Sequence, residues 1–371
     1  VKPLRFLAVI PLVLLTLSAL GTGAGEPQGA ALRVVLVGDA GDPDPAGEPV
    51  LRALDAELHR DPARTLLVFL GDNVYPNGMP AAEAPDRAEA ERRLNAQLDL
   101  AVKHGVRTIL IPGNHDWDSE RPDGWEAVRR QAAHVAQRAG AVAEFLPRDG
   151  CPGPALVDLP ALRLIVLDTQ WWLHDGPRPE HPASNCPTDS PDEVVGELKN
   201  ALAAGRPSLV VGHHPLASGG PHGGKFSWRQ HFFPLTDVKK GLWLPLPGIG
   251  SIYPLARKTG ASDQDLSGRR NKAMRLGLEA AFAAHPPLAY AAGHEHTLQV
   301  LRKPGLPPLL VSGSGILDHG SPVYNVSGTV YKSSEAGYMR LDVDSRGGAR
   351  LAVIEIDREG RAKTAHAETL R

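Results

Sequence analysis

The 371-residue chain predicts an α/β fold in which β-strands carry polar loops at their carboxyl ends. Three observations lead there. Runs of β-formers recur and end in Gly followed by Asp, Asn or His: LRVVLVGD, TLLVFLGD, RTILIPGN and PSLVVGHH. Helical periodicities alternate with those runs along most of the chain, and the end is strand-rich.

Taken in order, strands are expected at 33–37 and 66–70, each an apolar run closed by Gly-Asp. A helix follows at 87–104, with Leu94, Leu98, Ala101 and Val102 on one face and Gly105 as its stop. A strand at 107–111, a helix at 125–139, a strand at 162–167 and a helix at 193–204 continue the alternation. Next come a strand at 208–211, a helix at 272–284 and strands at 288–291, 298–302, 309–312, 337–343 and 351–356. Such a series fits two sheets flanked by helices, and periodicity alone leaves open which α/β fold this is.

Composition narrows the function classes. The charge is nearly balanced, with 40 basic and 42 acidic side chains and a net charge of −2, so no global footprint for nucleic acid exists. The length allows one large core or two modest ones. Gly (39) and Pro (34) greatly outnumber Phe, Tyr and Met, which favours a site built on turns and loops. At the N-terminus, Lys2 and Arg5 precede an apolar run over 6–20 and small residues over 21–25. Residues 1–24 therefore read as an export signal, cleaved near 22–24 or retained as an anchor, and place the protein in the periplasm or outside the cell. The two cysteines, Cys151 and Cys186, either pair across a Pro-rich excursion or stand as unrelated thiols; export favours the disulfide.

Five segments carry the chemistry: GDAG at 38–41, GDNVY at 71–75, GNHD at 113–116, VVGHHP at 210–215 and GHEH at 293–296. One Gly-Asp pair after a strand is ordinary turn chemistry. Five in one chain, holding carboxylate, amide, imidazole and phenol at strand ends, read as a two-metal hydrolytic centre.

This ordered set resembles the calcineurin-like metallophosphoesterases, and within them the purple acid phosphatases of the tartrate-resistant type. The common pattern of the superfamily opens with Asp-x-His, whereas here Gly41 follows Asp39-Ala40; the second segment instead ends in Tyr75, as in the purple branch. A phenolate is a hard anionic donor and favours a trivalent ion over zinc. The resemblance implies a four-layer αββα sandwich of two mixed sheets flanked by helices, within a catalytic domain at 30–360. It implies that Asp39, Tyr75 and His296 hold Fe(III), that Asn114, His213 and His294 hold a divalent Fe, Zn or Mn, and that Asp72 bridges them. It implies His115 as the acid or substrate ligand and hydrolysis of phosphate monoesters by attack of metal-bound hydroxide. His222 stands nine positions after His213, where that type has a substrate-side His; its usual Glu neighbour is replaced by Pro221. His214 is expected to support a ligand or to be exposed, and Asp168 either to orient a ligand or to cap a turn. A phosphodiesterase or pyrophosphatase, and a non-catalytic metal- or phosphate-binding module of the same fold, are the alternatives.

One stretch departs from the resemblance. Residues 219–270 form a long insertion, and from 225 to 275 there are ten Lys or Arg against three Asp, interleaved with Trp228, Phe232, Phe233, Trp243 and Tyr253. Three readings apply: a lid for a small anionic substrate with an apolar portion, a membrane-surface contact through 241–254, or an insertion packed on the body.

Overall fold

The computed structural model describes residues 30–370 apart from 234, 236–241 and 247. The expected export signal lies outside the described residues, as does part of 241–254. Two seven-stranded mixed sheets form the centre. The first runs in the order β14 (Ala362–Thr369), β13 (Ala349–Ile356), β12 (Gly337–Asp344), β1 (Ala30–Val37), β2 (Thr65–Phe69), β3 (Arg107–Leu110) and β4 (Ala143–Phe145). The second runs β11 (Thr329–Ser333), β9 (Leu298–Leu301), β10 (Leu309–Ser312), β8 (Ala289–Ala292), β7 (Ser208–Val211), β6 (Arg163–Val166) and β5 (Ala155–Asp158). Strands β1 to β4 are parallel, as are β6, β7, β8 and β10; the outer strands add antiparallel. The first sheet thus continues past residue 360 through β14.

Strand alternation explains the layers. In β1, Val34 and Leu36 share a core cluster with Leu164, Val166, Leu209 and Val211 of the facing sheet. Val35 and Val37 point the other way, into a cluster with Leu54 and Leu58 of α1 (Pro49–Arg60) and Leu94 and Leu98 of α2 (Arg87–His104). Both faces of the central strands are buried, which is why they read as unbroken apolar runs. Each fully buried Val or Leu contributes about 1.5–3 kcal/mol.

Helices α2, α3 (Gly124–Ala139), α5 (Pro191–Ala203) and α8 (Arg269–Ala284) fall where periodicity places them. Gly105 ends α2 in the left-handed region at φ 63°. Ser190 caps α5, accepting from Glu193 N ahead of Pro191. Helix α1 was not expected; Glu48 caps it through Val50 N. Between β6 and α5 lies the short α4 (Gln170–Leu173), and the insertion holds α6 (Trp228–Phe232) and α7 (Ile252–Lys258). Cys151 and Cys186 are disulfide-bonded, with Cα atoms 5.6 Å apart. Among the described residues no helix is long and apolar enough to cross a membrane.

Candidate metal centre

All five polar segments meet at the carboxyl ends of parallel strands from both sheets. Asp39 follows β1, Asp72 and Tyr75 follow β2, and Asn114 and His115 follow β3; His213 follows β7, and His294 and His296 lie between β8 and β9. The loops interlock through Asp39 N donating to Gly71 O (3.0 Å) and His294 N donating to Asp39 Oδ2 (2.8 Å). Close approach explains the glycines. A Cβ on Gly113 would sit 2.3 Å from Asp72 Oδ1, and one on Gly71, at φ +91°, 2.5 Å from His213 Nδ1. Asp39, Asp72 and His294 themselves adopt positive φ (58°, 53° and 67°), strain that surrounding contacts hold in place.

One donor set gathers Asn114, His213 and His294. His213 Nδ1 donates to Leu70 O at 2.8 Å, and His294 Nε2 donates to Gln264 O at 3.0 Å. Both rings therefore turn a lone pair, on His213 Nε2 and His294 Nδ1, toward Asn114 Oδ1 at 3.1 and 3.0 Å. The two nitrogens are 3.3 Å apart, and His213 Nε2 is 3.4 Å from Asp72 Oδ2. Acceptors packed this closely repel one another unless positive charge lies among them. Burial lowers the proton affinity of His213, yet the Asp72 carboxylate outweighs it and lifts the imidazole to about 9.

The second set centres on Tyr75. Its hydroxyl is 3.2 Å from Asp39 Oδ1, 3.2 Å from Asp72 Oδ2 and 3.1 Å from His296 Nε2. One phenolic hydrogen serves at most one of those three contacts. Burial first, then the charges of Asp39 and Asp72, hold the phenol far above its usual value, so a phenolate here needs a cation. Asp72 pairs with both sets: burial raises its carboxyl, but His213 and His115 outweigh this and lower it. Carboxylates, imidazoles, a carboxamide and a phenol converging in two groups around one shared oxygen fit two cations.

The remaining predicted residues separate by role. His115 Nδ1 donates to Pro76 O at 2.6 Å, its Nε2 lies 3.9 Å from Asp72 Oδ2, and its ring packs on Tyr75. His222 stacks on His294 of the other donor set, with ring centroids 4.0 Å apart. His214 is buried and both ring nitrogens are bonded, to Thr169 Oγ1 (2.9 Å) and Gln264 Oε1 (2.8 Å), so it supports the site from behind although it lies near His213 and His294. Among the described residues Asp168 bonds no metal-facing side chain: it accepts from Trp171 N at the start of α4 and from Trp117 Nε1, so the cap is the observed role.

Four residues were missed. Buried Asp116 accepts from Gly113 N (2.8 Å), Asn73 N (3.0 Å) and Gln131 Nε2 (3.0 Å), and ties the Asp72 loop to the Asn114 loop. Its place in GNHD was the available signal. Buried Glu295, inside GHEH, accepts from Ser218 Oγ (2.7 Å) and Gly223 N (3.1 Å). Gln264 and Asp265 come from the insertion, where nothing in the sequence marks them. The insertion's return leg is therefore a wall of the site.

The family model for calcineurin-like phosphoesterases matches residues 32–298. Among solved structures, GAP50, the anchor in the inner membrane complex of Plasmodium, superposes with a TM-score of 0.53 at 15% identity, covering 91% of this chain and 88% of that one. Purple acid phosphatase PPD1 from yellow lupin (Lupinus luteus) seeds superposes with a TM-score of 0.54 at 14% identity, covering 92% of this chain and 54% of that one. At those identities the likeness is one of fold. No curated protein matches the sequence.

Proposed function

The chain belongs to the calcineurin-like phosphoesterase family, and from that membership we propose that it is an exported, acid phosphatase-like hydrolase of small phosphate monoesters. The observation that carries the proposal is Asp72 Oδ2, shared at 3.2 Å with Tyr75 of one donor set and at 3.4 Å with His213 of the other. Asp39, Tyr75 and His296 would hold a hard trivalent ion, Fe(III), while Asn114, His213 and His294 would hold divalent Fe, Zn or Mn. When bound, the metals supply charge neutralisation at the phosphoryl group and an activated water.

The chain's own residues do the rest. His115, its Nδ1 fixed on Pro76 O, offers Nε2 to carry the proton that the leaving oxygen needs. His115 packs on Tyr75 and His222 on His294, so each donor set has an imidazole beside it that would contact the phosphoryl group. Rates on a phenyl monoester and on a bis-phenyl diester test the specificity. Faster monoester turnover supports the reading, diester turnover alone replaces it with a phosphodiesterase, and no turnover by metal-loaded protein leaves the non-catalytic module.

A second reading concerns the outer part of the insertion. Trp228, Phe232, Trp243, Ile249, Ile252 and Leu255 are all exposed there. Beside them, Lys225, Lys258 and His231 line a cavity of about 360 Å³ together with Phe226, Leu255 and Tyr324, with no acidic residue among the described residues of its wall. Apolar and aromatic side chains ringed by cations suit an anionic lipid surface or a substrate with an apolar tail. Deleting 241–254 tests this: unchanged rates on every ester and unchanged recovery with anionic vesicles would end it.

A further inference from the structure

His222 lacks the sequence-adjacent carboxylate that its position leads one to expect, because Pro221 precedes it. The fold brings one from 43 residues away. His222 Nδ1 lies 2.9 Å from Asp265 Oδ1, and Asp265 is only 1% exposed. Arg257 completes the group: its Nε donates to Asp265 Oδ2 at 2.9 Å, and its Nη2 contacts Asp265 Oδ1. Arg257 Nη2 also lies 2.9 Å from His222 Nδ1. An ionised aspartate has no donor, so Asp265 accepts from Arg257, and the Nδ1–H form of His222 adds a second donor to Asp265 Oδ1.

Other contacts lock the ring. Leu266 N donates to His222 O at 2.9 Å, next to Asp265 in the chain. Gly223 N donates to buried Glu295, and the imidazole rests on His294 with ring centroids 4.0 Å apart. Among the described residues no hydrogen bond engages His222 Nε2, and the side chain remains 26% exposed.

We propose that Asp265 and Arg257 are positioning residues for the phosphoryl group: they pin His222 through Nδ1–H so that the Nε2–H of the imidazolium donates to the oxygens of a phosphate monoester. Arg257 also offsets the Asp265 charge, so the pinning carboxylate does not repel the incoming dianion. The insertion thereby supplies from its return leg the carboxylate that the His222 loop lacks. The inference rests on the phosphoesterase reading above.

The test is a double-mutant cycle on metal-loaded, full-length protein, with inorganic phosphate as the calorimetric probe and phenyl phosphate as the substrate. Asp265→Ala is expected to weaken phosphate binding about tenfold, the scale of one charge-assisted hydrogen bond, with metal content unchanged. His222→Asn should lose a similar factor, and the double variant no more than either single. Asp265→Glu, which keeps a carboxylate, should recover most of the affinity. Unchanged phosphate affinity in Asp265→Ala, or losses that multiply in the double variant, would overturn the proposal. If Asp265→Ala does not fold, Arg257→Met decides: weakened binding that does not add to His222→Asn supports the dyad, and full binding refutes it. A wild-type protein that binds phosphate but hydrolyses no ester would remove the hydrolase reading and leave this binding cycle valid.

Discussion

His294 donates its Nε2–H to the backbone carbonyl of Gln264 at 3.0 Å, and that contact decides which ring nitrogen faces the metal centre. With the hydrogen on Nε2, Nδ1 carries the lone pair turned toward Asn114. Gln264 also receives His214 through its side chain, and its neighbour Asp265 receives His222. Two consecutive residues of an insertion thus set the orientation of three histidines. Partners of this kind, one step behind the ligands, fix tautomer and ring angle.

Tyr75 distinguishes the metals. Protein purified without added metal should contain iron and show a broad visible band, and Tyr75→Phe should lose that band. Zinc or manganese alone, without colour, would undo the phenolate–Fe(III) assignment and leave the family membership standing.

His115 should separate metal binding from turnover. Its ring is held by Pro76 O and reaches no closer than 3.9 Å to Asp72 through Nε2. His115→Ala is expected to retain metal and to lose about 10²–10⁴ in kcat on esters with poor leaving groups, and less on activated ones. Equal losses on both, measured across a leaving-group series, would remove its role as acid.

Asp168 predicts a pH dependence of stability. Burial, opposed only in part by Trp171 N and Trp117 Nε1, raises its carboxyl to about 8 in the folded chain. The unfolded value is near 4, so between about pH 4 and 8 the folded state holds a proton that the unfolded state has released. Stability should therefore fall as pH rises through that window, by up to ~1.4 kcal/mol per pH unit, and level off above it. Asp168→Asn, which keeps an acceptor and cannot ionise, should flatten the slope in urea titrations. An unchanged slope would show that other groups set it.

How much of this was legible in the sequence follows from where each residue gets its position. Asp39, Asp72, Asn114, His213 and His294 each sit next to the strand that aims them, so a local motif names them. Asp265 and Gln264 are aimed by tertiary contacts to His222 and His214 across 43 and 50 residues, and no local pattern records that. Asp168 shows the converse: a strand-end Asp reads the same whether it faces a metal or caps a turn, and only Trp117 and Trp171 decide. The long buried strands were legible for their unbroken apolar runs. Strand β4 at three residues and the mostly exposed β14 lack that signal. Helix α1 was hidden by the Pro- and Asp-rich loop before it.

Metal stoichiometry in the wild type and in Asp72→Asn tests the central claim most directly. Asp72 Oδ2 is in contact with Tyr75 of one donor set and with His213 of the other. The account predicts about two ions per chain in the wild type and loss of metal and activity together in Asp72→Asn. A wild type that takes up no more than one ion, or an Asp72→Asn protein that keeps both and still turns over, would contradict it.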